Sequence, residues 1–347
     1  MMEVVGFGAM NLDELYRVQS VLADNETTIG AYKSSPGGSA ANTIYGLAKL
    51  GISAGFIGVV GADKAGELLL QDFKTVGVDT SQIKVKENAE TGKVLGLTDY
   101  YGKRALYVAP GANSLLTRED INLKYLKRIK LIHLSSFVGE KQFKIQKWVI
   151  DNLPSSVWLS FTPGAIYTRK GMNSLRTILE RTDSLFANES EIEELTGTKY
   201  RTAARYLISQ GCRNVIITLG KKTVQEIDKN QLIMFEPSGY PILQFPQELT
   251  RYSSNNNDRF MNYVADARNE YYIESAKVVR HKDTTGAGDA FAAGFLYGLL
   301  RGRELEECGR LGSIVAQFSV RKIGARAGLP TLEALSQRYR ETYGKDL

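Results

Sequence analysis

Cysteine and histidine are scarce in the 347-residue chain, which holds two of each: Cys212 and Cys308, His133 and His281. Two cysteines cannot build a disulfide framework or a cysteine-rich zinc site, which fits a reducing compartment and makes the cytoplasm the expected location. No HExxH occurs, so the ligand set of a zinc hydrolase is missing. No uncharged apolar stretch reaches the ~18 residues of a membrane span. The start, MMEVVGFGAMNLDE, has no basic region followed by a long apolar run of the secretory type. No GxxxxGK followed by Ser or Thr is found, so a P-loop is excluded. GFGAMN opens like a dinucleotide fingerprint but carries Asn11 where the third glycine belongs. No internal repeat is evident.

Composition is that of a folded globular protein, 43% hydrophobic and 24% charged, so disorder is not the starting assumption. The net charge of +6 comes from basic residues scattered along the chain; clusters such as KYLKRIK (124–130) read as solvated helix faces. Neither nucleic acid nor a membrane is therefore an expected partner. Apolar runs suited to buried strands occur at 4–8, 54–60, 131–135, 157–161, 184–187 and 214–220. Helical periods fall at 39–50, 63–76, 140–152, 172–181, 189–196 and 201–210. That alternation predicts a largely parallel sheet with helices on both faces. Residues 91–109 alternate with period two about a YGK turn and read as a hairpin, which with 11–35 would form a small lid sheet. The core is then 1–10, 36–90 and 110–347, and 221–262, with its prolines and SSNNND tract, reads as an insertion.

One stretch carries chemistry. DTTGAGDAF (283–291) sets Asp289 behind two glycines at the mouth of the apolar run FAAGFLYGLL. Gly286 and Gly288 permit close backbone approach, and a buried helix is predicted to start beside them. The first turn of a helix offers unpaired N–H groups and the positive end of a dipole, a ready anion site. A carboxylate there is unfavourable beside a bound anion unless it has a task, and accepting a proton from an attacking hydroxyl is such a task. The plainer reading keeps Asp289 as a first-turn carboxylate that the dipole stabilises by about 0.3 to 1 kcal/mol. Similar pairs of readings stand elsewhere. Asn11 and Asp13 suit either a ligand or a turn cap, and Gly37 and Gly38 after Pro36 either a ligand approach or a tight turn. Asn188 and Glu191 suit either a metal or the cap of the helix that NESEIEEL begins. His133, inside an apolar strand pattern, reads as a core residue.

DTTGAGDAFAAGFL resembles the C-terminal signature of the ribokinase (PfkB) family of carbohydrate and nucleoside kinases. GFGAMNLD (6–13), PGGSAANT (36–43), TGKV (91–94), APGAN (109–113) and FANESEIEELTG (186–197) are similar to further motifs of that family, in family order. The resemblance implies a ribokinase-like three-layer α/β sandwich with a β-sheet lid, and ATP-dependent transfer of the γ-phosphoryl group to a hydroxyl of a sugar. A nucleoside acceptor, or a non-catalytic sugar- or nucleotide-binding relative, is the alternative. It further implies Asp289 as catalytic base and Gly286, Ala287 and Gly288 as the anion hole. Asn11, Asp13, Gly38 and Asn42 would bind the acceptor, and Asn188, Thr218, Gly220 and Gly288 the nucleotide. Glu191 would face Mg²⁺ through water, Asp283 would ligate a monovalent cation such as K⁺ with carbonyls of the 320–324 loop, and two copies would pair through the lid.

The chain also departs from the family. Thr223 stands where TxGxxG has its second glycine, and the segment that follows suits either a cover that adjoins the nucleotide or a surface loop far from the chemistry. Ser39 and Ser136 occupy places where ribokinases tend to carry Lys and Glu, so ribose itself is not implied. Tyr100 and Tyr101 in the lid hairpin suit either packing or stacking on a base.

Overall fold

The computed structural model describes residues 2–22, 26–99, 104–222, 259–275 and 283–347. Its strands begin with β1 (Val4–Phe7), β2 (Asn11–Val18), β3 (Ile29–Gly37), β4 (Ala54–Gly61), β5 (Ile83–Lys86), β6 (Gly92–Thr98) and β7 (Arg104–Ala109). They continue with β8 (Leu131–Ser135), β9 (Trp158–Thr162), β10 (Ser184–Asn188), β11 (Asn214–Lys222), β12 (Arg259–Ala265) and β13 (Glu270–Ser275). The helices are α1 (Ser39–Lys49), α2 (Lys64–Thr75), α3 (Leu123–Leu126), α4 (Glu140–Asp151), α5 (Gly164–Thr168) and α6 (Gly171–Leu179). After them come α7 (Glu189–Thr196), α8 (Tyr200–Ser209), α9 (Ala287–Leu300), α10 (Leu305–Ser319) and α11 (Leu332–Tyr343).

Nine strands form the central sheet in the order β13-β12-β11-β10-β9-β8-β1-β4-β5. From β11 to β5 every neighbour pair is parallel. Each position of β1 and β4 is buried, as befits strands covered on both faces. One apolar layer packs α4, α6, α7 and α8 on the sheet, and the other packs α1, α9, α10 and α11 on the opposite face. Helix α9 is buried at every position from Ala290 to Gly298, the pattern of a helix with protein on all sides. It is therefore a rigid mount for its own first turn.

The chain leaves β1 towards β4 on one side and returns as β8 on the other, so β1 marks the point where the winding direction reverses. Open α/β sheets gather ligands at the carboxyl ends of strands at such a point. Directly after β1, the second sheet begins with β2 and runs β3-β2-β6-β7. In it β2 pairs antiparallel with β3 and parallel with β6, and Asp13 lies opposite Ser35 and Val94.

The six predicted strands and six predicted helices fall within about two residues of their limits, whereas the parallel edge strand β5 and the short helices α3 and α5 were not predicted. The predicted insertion needs correction at both ends, because 221–222 extend β11 and 259–262 belong to β12. Two antiparallel strands, β12 and β13, thus extend the sheet where no regular element was expected. Residues 223–258 lie outside the described residues, as do Tyr100, Tyr101, the YGK turn and His281. His133 is buried in β8 with Nδ1 on Ser160 Oγ (2.9 Å), while its Nε2 has no partner among the described residues. Burial pushes its pKa down to about 3, so it is neutral. No helix among the described residues is long and apolar enough to cross a membrane.

Candidate active site

Helix α9 starts at Gly286, whose φ of 74° is left-handed and whose added Cβ would fall 2.5 Å from the Ala325 side chain. Only glycine fits there. Of the expected anion-binding amides, Ala287 N–H already donates to Thr284 O (3.1 Å). The N–H groups of Gly288 and Asp289 have no acceptor among the described residues, and the Cβ position of Gly288 faces open space. Two donors at a helix N-terminus are therefore left for an anion, and no side chain at Gly288 obstructs its approach.

Asp289, in the same first turn, is held from α1. Ser39 Oγ donates to Oδ1 (2.7 Å) and Asn42 Nδ2 to Oδ2 (2.9 Å). Burial raises its pKa to about 6, opposed by the bonds from Asn42 and Ser39 and by the Arg326 charge, with Glu191 adding to the rise. A carboxyl that titrates near neutrality is suited to taking up a proton at physiological pH. Asn42, expected at the acceptor, gives one N–H to Asp289, and its Oδ1 accepts from Arg326 Nε (2.9 Å). Arg326 also reaches Asp72 Oδ2 (2.6 Å) and Gly37 O (3.1 Å). Neither Arg326 nor Ser39 was predicted as part of the site.

Asp13 approaches from the small sheet. It is buried, and its Oδ1 has no hydrogen-bond partner among the described residues. Burial raises its pKa to about 7, with Arg326 and Arg104 opposing the rise and Asp289 adding to it. A Cβ on Gly37 would fall 2.2 Å from Asp13 Oδ2, and Gly38, at φ 98°, would place one 2.2 Å from Ala9 O. The glycine pair is thus what lets the β3 turn and Asp13 share the space. Asn11 accepts at Oδ1 from Asn113 Nδ2 (3.0 Å), which also donates to Met10 O.

The remaining residues line the carboxyl ends of β10 and β11. Asn188 and Thr218 are register partners, and Gly220 follows at φ 67° beside a bulge, with open space at its Cβ position. Asn188 caps α7: its Oδ1 accepts from Glu191 N–H (2.9 Å), and Glu191 Oε2 accepts from Asn188 N–H (3.0 Å). The capping reading therefore holds in full geometry, and it leaves Glu191 Oε1 uncommitted to the cap. Burial raises the Glu191 pKa, against the Asn188 N–H, with Glu194 adding. Among the described residues no group of three or more His, Cys, Asp or Glu could hold a metal. The donor set suits a Mg²⁺ carried chiefly by phosphates and water, with Glu191 as an outer partner.

Asp283 accepts from Thr285 N–H (2.9 Å) and Gly324 N–H (2.8 Å). Burial pushes its pKa up, but these N–H groups outweigh it and the net shift is downward. Lys33, from β3, donates to Ile323 O in the same loop.

A buried carboxyl beside helix-start amides that have no acceptor among the described residues, within electrostatic reach of a second carboxyl on a separate sheet, is an arrangement in keeping with a phosphotransferase. The pfkB carbohydrate kinase family matches residues 1–238 and 262–332, and the chain belongs to that family. An uncharacterized sugar kinase of Archaeoglobus fulgidus is 36% identical over 288 residues, covering 82% of this chain and 98% of the relative. A Burkholderia thailandensis nucleoside kinase solved with inosine has the same fold, with a TM-score of 0.75 at 20% identity, covering 99% of this chain and 100% of the other. So does an E. coli protein solved with ATP and Mg²⁺, with a TM-score of 0.75 at 19% identity and coverage of 98% and 100%.

Proposed function

We propose that the chain transfers the γ-phosphoryl group of ATP to a primary hydroxyl of a sugar, with Asp289 as base. The observation that carries this reading is the Asp289 carboxylate, fixed by Ser39 and Asn42 beside the N–H groups of Gly288 and Asp289, which have no acceptor among the described residues. Asp13 Oδ1, buried without a partner among the described residues, is an acceptor awaiting a hydroxyl donor. In the transfer, the acceptor oxygen forms a bond to the γ-phosphorus while its proton passes to Asp289, and the bond from phosphorus to the bridging oxygen breaks to release ADP. The free amides stabilise charge on the transferring group. Mg²⁺ on the phosphates would neutralise their charge, with Asn188 and Glu191 facing it through water. A K⁺ ion near Asp283, with carbonyls of the 320–324 loop as ligands, belongs to the same proposal. The family and the ATP and Mg²⁺ of the E. coli neighbour support this reading.

A nucleoside is the second reading, favoured by one observation. Leu15, Val94, Leu106 and Val108 share the Asp13 face of the small sheet, an apolar surface broad enough for a base. On the other face Tyr16, Tyr32, Leu95, Leu97 and Tyr107 lie together, and Tyr32 and Tyr107 are more than half exposed. That outward patch supports pairing of two copies through this sheet. A cytoplasmic location belongs to the same proposal, resting on ATP as donor and two buried free cysteines.

The test is ADP release by the purified protein with MgATP and a panel of sugars and nucleosides. Acceptor-dependent release is expected with one class. Tight acceptor binding without any turnover would instead make the chain a sensor.

A further inference from the structure

We infer that Arg326 is the positioning residue of this site, setting the Asp289 carboxylate through Asn42 and the approach of Asp13 through the Gly37 carbonyl. The inference rests on the phosphotransfer reading and goes beyond it, because Arg326 touches neither carboxylate. Its side chain is 5% exposed and spans three elements: Asn42 on α1, Asp72 on α2 and Gly37 at the end of β3. The rings of Tyr45 and Phe73 lie 5.3 and 5.1 Å from the guanidinium carbon, which closes the pocket around it.

The chemistry of the fork dictates what Asn42 can do. A guanidinium has only donors, so the oxygen of the Asn42 amide must face Arg326 and its NH₂ must face Asp289. If the arginine is removed, the amide is free to turn its oxygen towards the carboxylate, which replaces a donor by a repulsion. The second bond, to Gly37 O, ties down the glycine whose missing Cβ makes room for Asp13. The groups that face Asp289 are Ser39 and Asn42 from α1, Arg326 from the loop after α10, Glu191 from α7 and Asp13 from β2. Arg326 is the cation among them, and Asp72 neutralises part of its charge.

A purely structural arginine would lower stability and leave the pH dependence of turnover alone. The experiment measures kcat/KM for the acceptor against pH, at saturating MgATP, in the wild type, Arg326→Gln, Arg326→Lys and Asp72→Asn. For Arg326→Gln we expect a kcat at least about tenfold lower and an acid limb shifted up by about one pH unit, with KM for ATP within about twofold. Asp72→Asn leaves the cation less neutralised, so its limb moves down. Arg326→Lys keeps the charge and loses the fork, so the limb stays while kcat falls. A folded Arg326→Gln with the wild-type limb and kcat overturns the inference. Should that variant fail to fold, an unmoved limb in Asp72→Asn together with a wild-type kcat in Arg326→Lys overturns it equally. If the wild type shows no acceptor-dependent ADP release, the phosphotransfer reading has failed. Titration of the ¹³C-labelled Asp289 carboxyl in the same variants then decides the role of Arg326 alone, by the same opposite shifts.

Discussion

Asp289 and Asp13 are both carboxylates that burial pushes towards neutrality, yet the protein treats them oppositely. Asp289 sits on a helix enclosed by the core and receives two side-chain donors, so both of its oxygens are fixed before any ligand arrives. Asp13 sits on a four-stranded sheet beside the core, and one of its oxygens is buried with no partner among the described residues. Full satisfaction preorganises a group whose position matters in the transition state. A buried oxygen without a partner costs free energy until a ligand supplies the donor, which makes occupancy of the site depend on a hydroxyl in the right place. On the proposed function, the first carboxylate serves rate and the second recognition.

The sharpest way to break this contrast is to neutralise each group in turn. Asp289→Asn keeps the shape and removes the base, so kcat should fall at least about a hundredfold while nucleotide binding persists. Near-normal turnover of the purified variant would end its assignment as base. Asp13→Ala should act on the acceptor instead. Loss of a hydrogen bond to a charged group is worth roughly 1.5 to 3 kcal/mol, so kcat/KM for the acceptor should drop tenfold or more with little change in ATP affinity. Equal losses for both substrates would dissolve the division of labour.

The sequence made part of this legible and hid part of it for definite reasons. The interior parallel strands were readable because strands buried on both faces are continuous apolar runs, as in AGFIGVVG, whereas the edge strand β5, IKVK, has no such run. β12 and β13 were not, because RFMNYVA and EYYIES mix polar and aromatic residues and follow a tract rich in Ser and Asn. Asp289, Asp13 and the glycine pairs stood out because local spacing marks turns and helix starts. Arg326 did not, because its partners Asn42, Asp72 and Gly37 lie more than 250 positions away and no local pattern announces such a convergence. Ser39 was noted only as a departure from the ribokinase pattern, and the fold turns it into a donor to Asp289. Asn42 was singled out for the acceptor, and the fold also places its amide between Arg326 and Asp289.

The smallest expected effect concerns stability. Asp13 and Asp289 titrate near 7 and 6 in the folded chain, against about 4 for an unfolded Asp. Between those values the folded state binds more protons than the unfolded state. The contribution of these groups is therefore fully present below about pH 4 and is lost as pH rises through 6 and then 7. Asp63, Asp79, Asp120 and Asp283 are shifted downward and have the opposite dependence, so the wild-type curve alone does not isolate the effect. Asp13→Asn does, because it removes the charge at nearly constant shape. Its Tm should exceed that of the wild type by about 1 to 3 °C at pH 8. The excess should shrink through pH 7 and vanish near pH 4, where the wild-type carboxyl is already protonated. Asp289→Asn should gain less, since Ser39 and Asn42 already stabilise the charged form and an amide NH₂ would be a poor neighbour for the Asn42 NH₂. A Tm difference that stays constant with pH, or a loss at pH 8 in Asp13→Asn, would mean that the bare oxygen is not held at a cost to the fold.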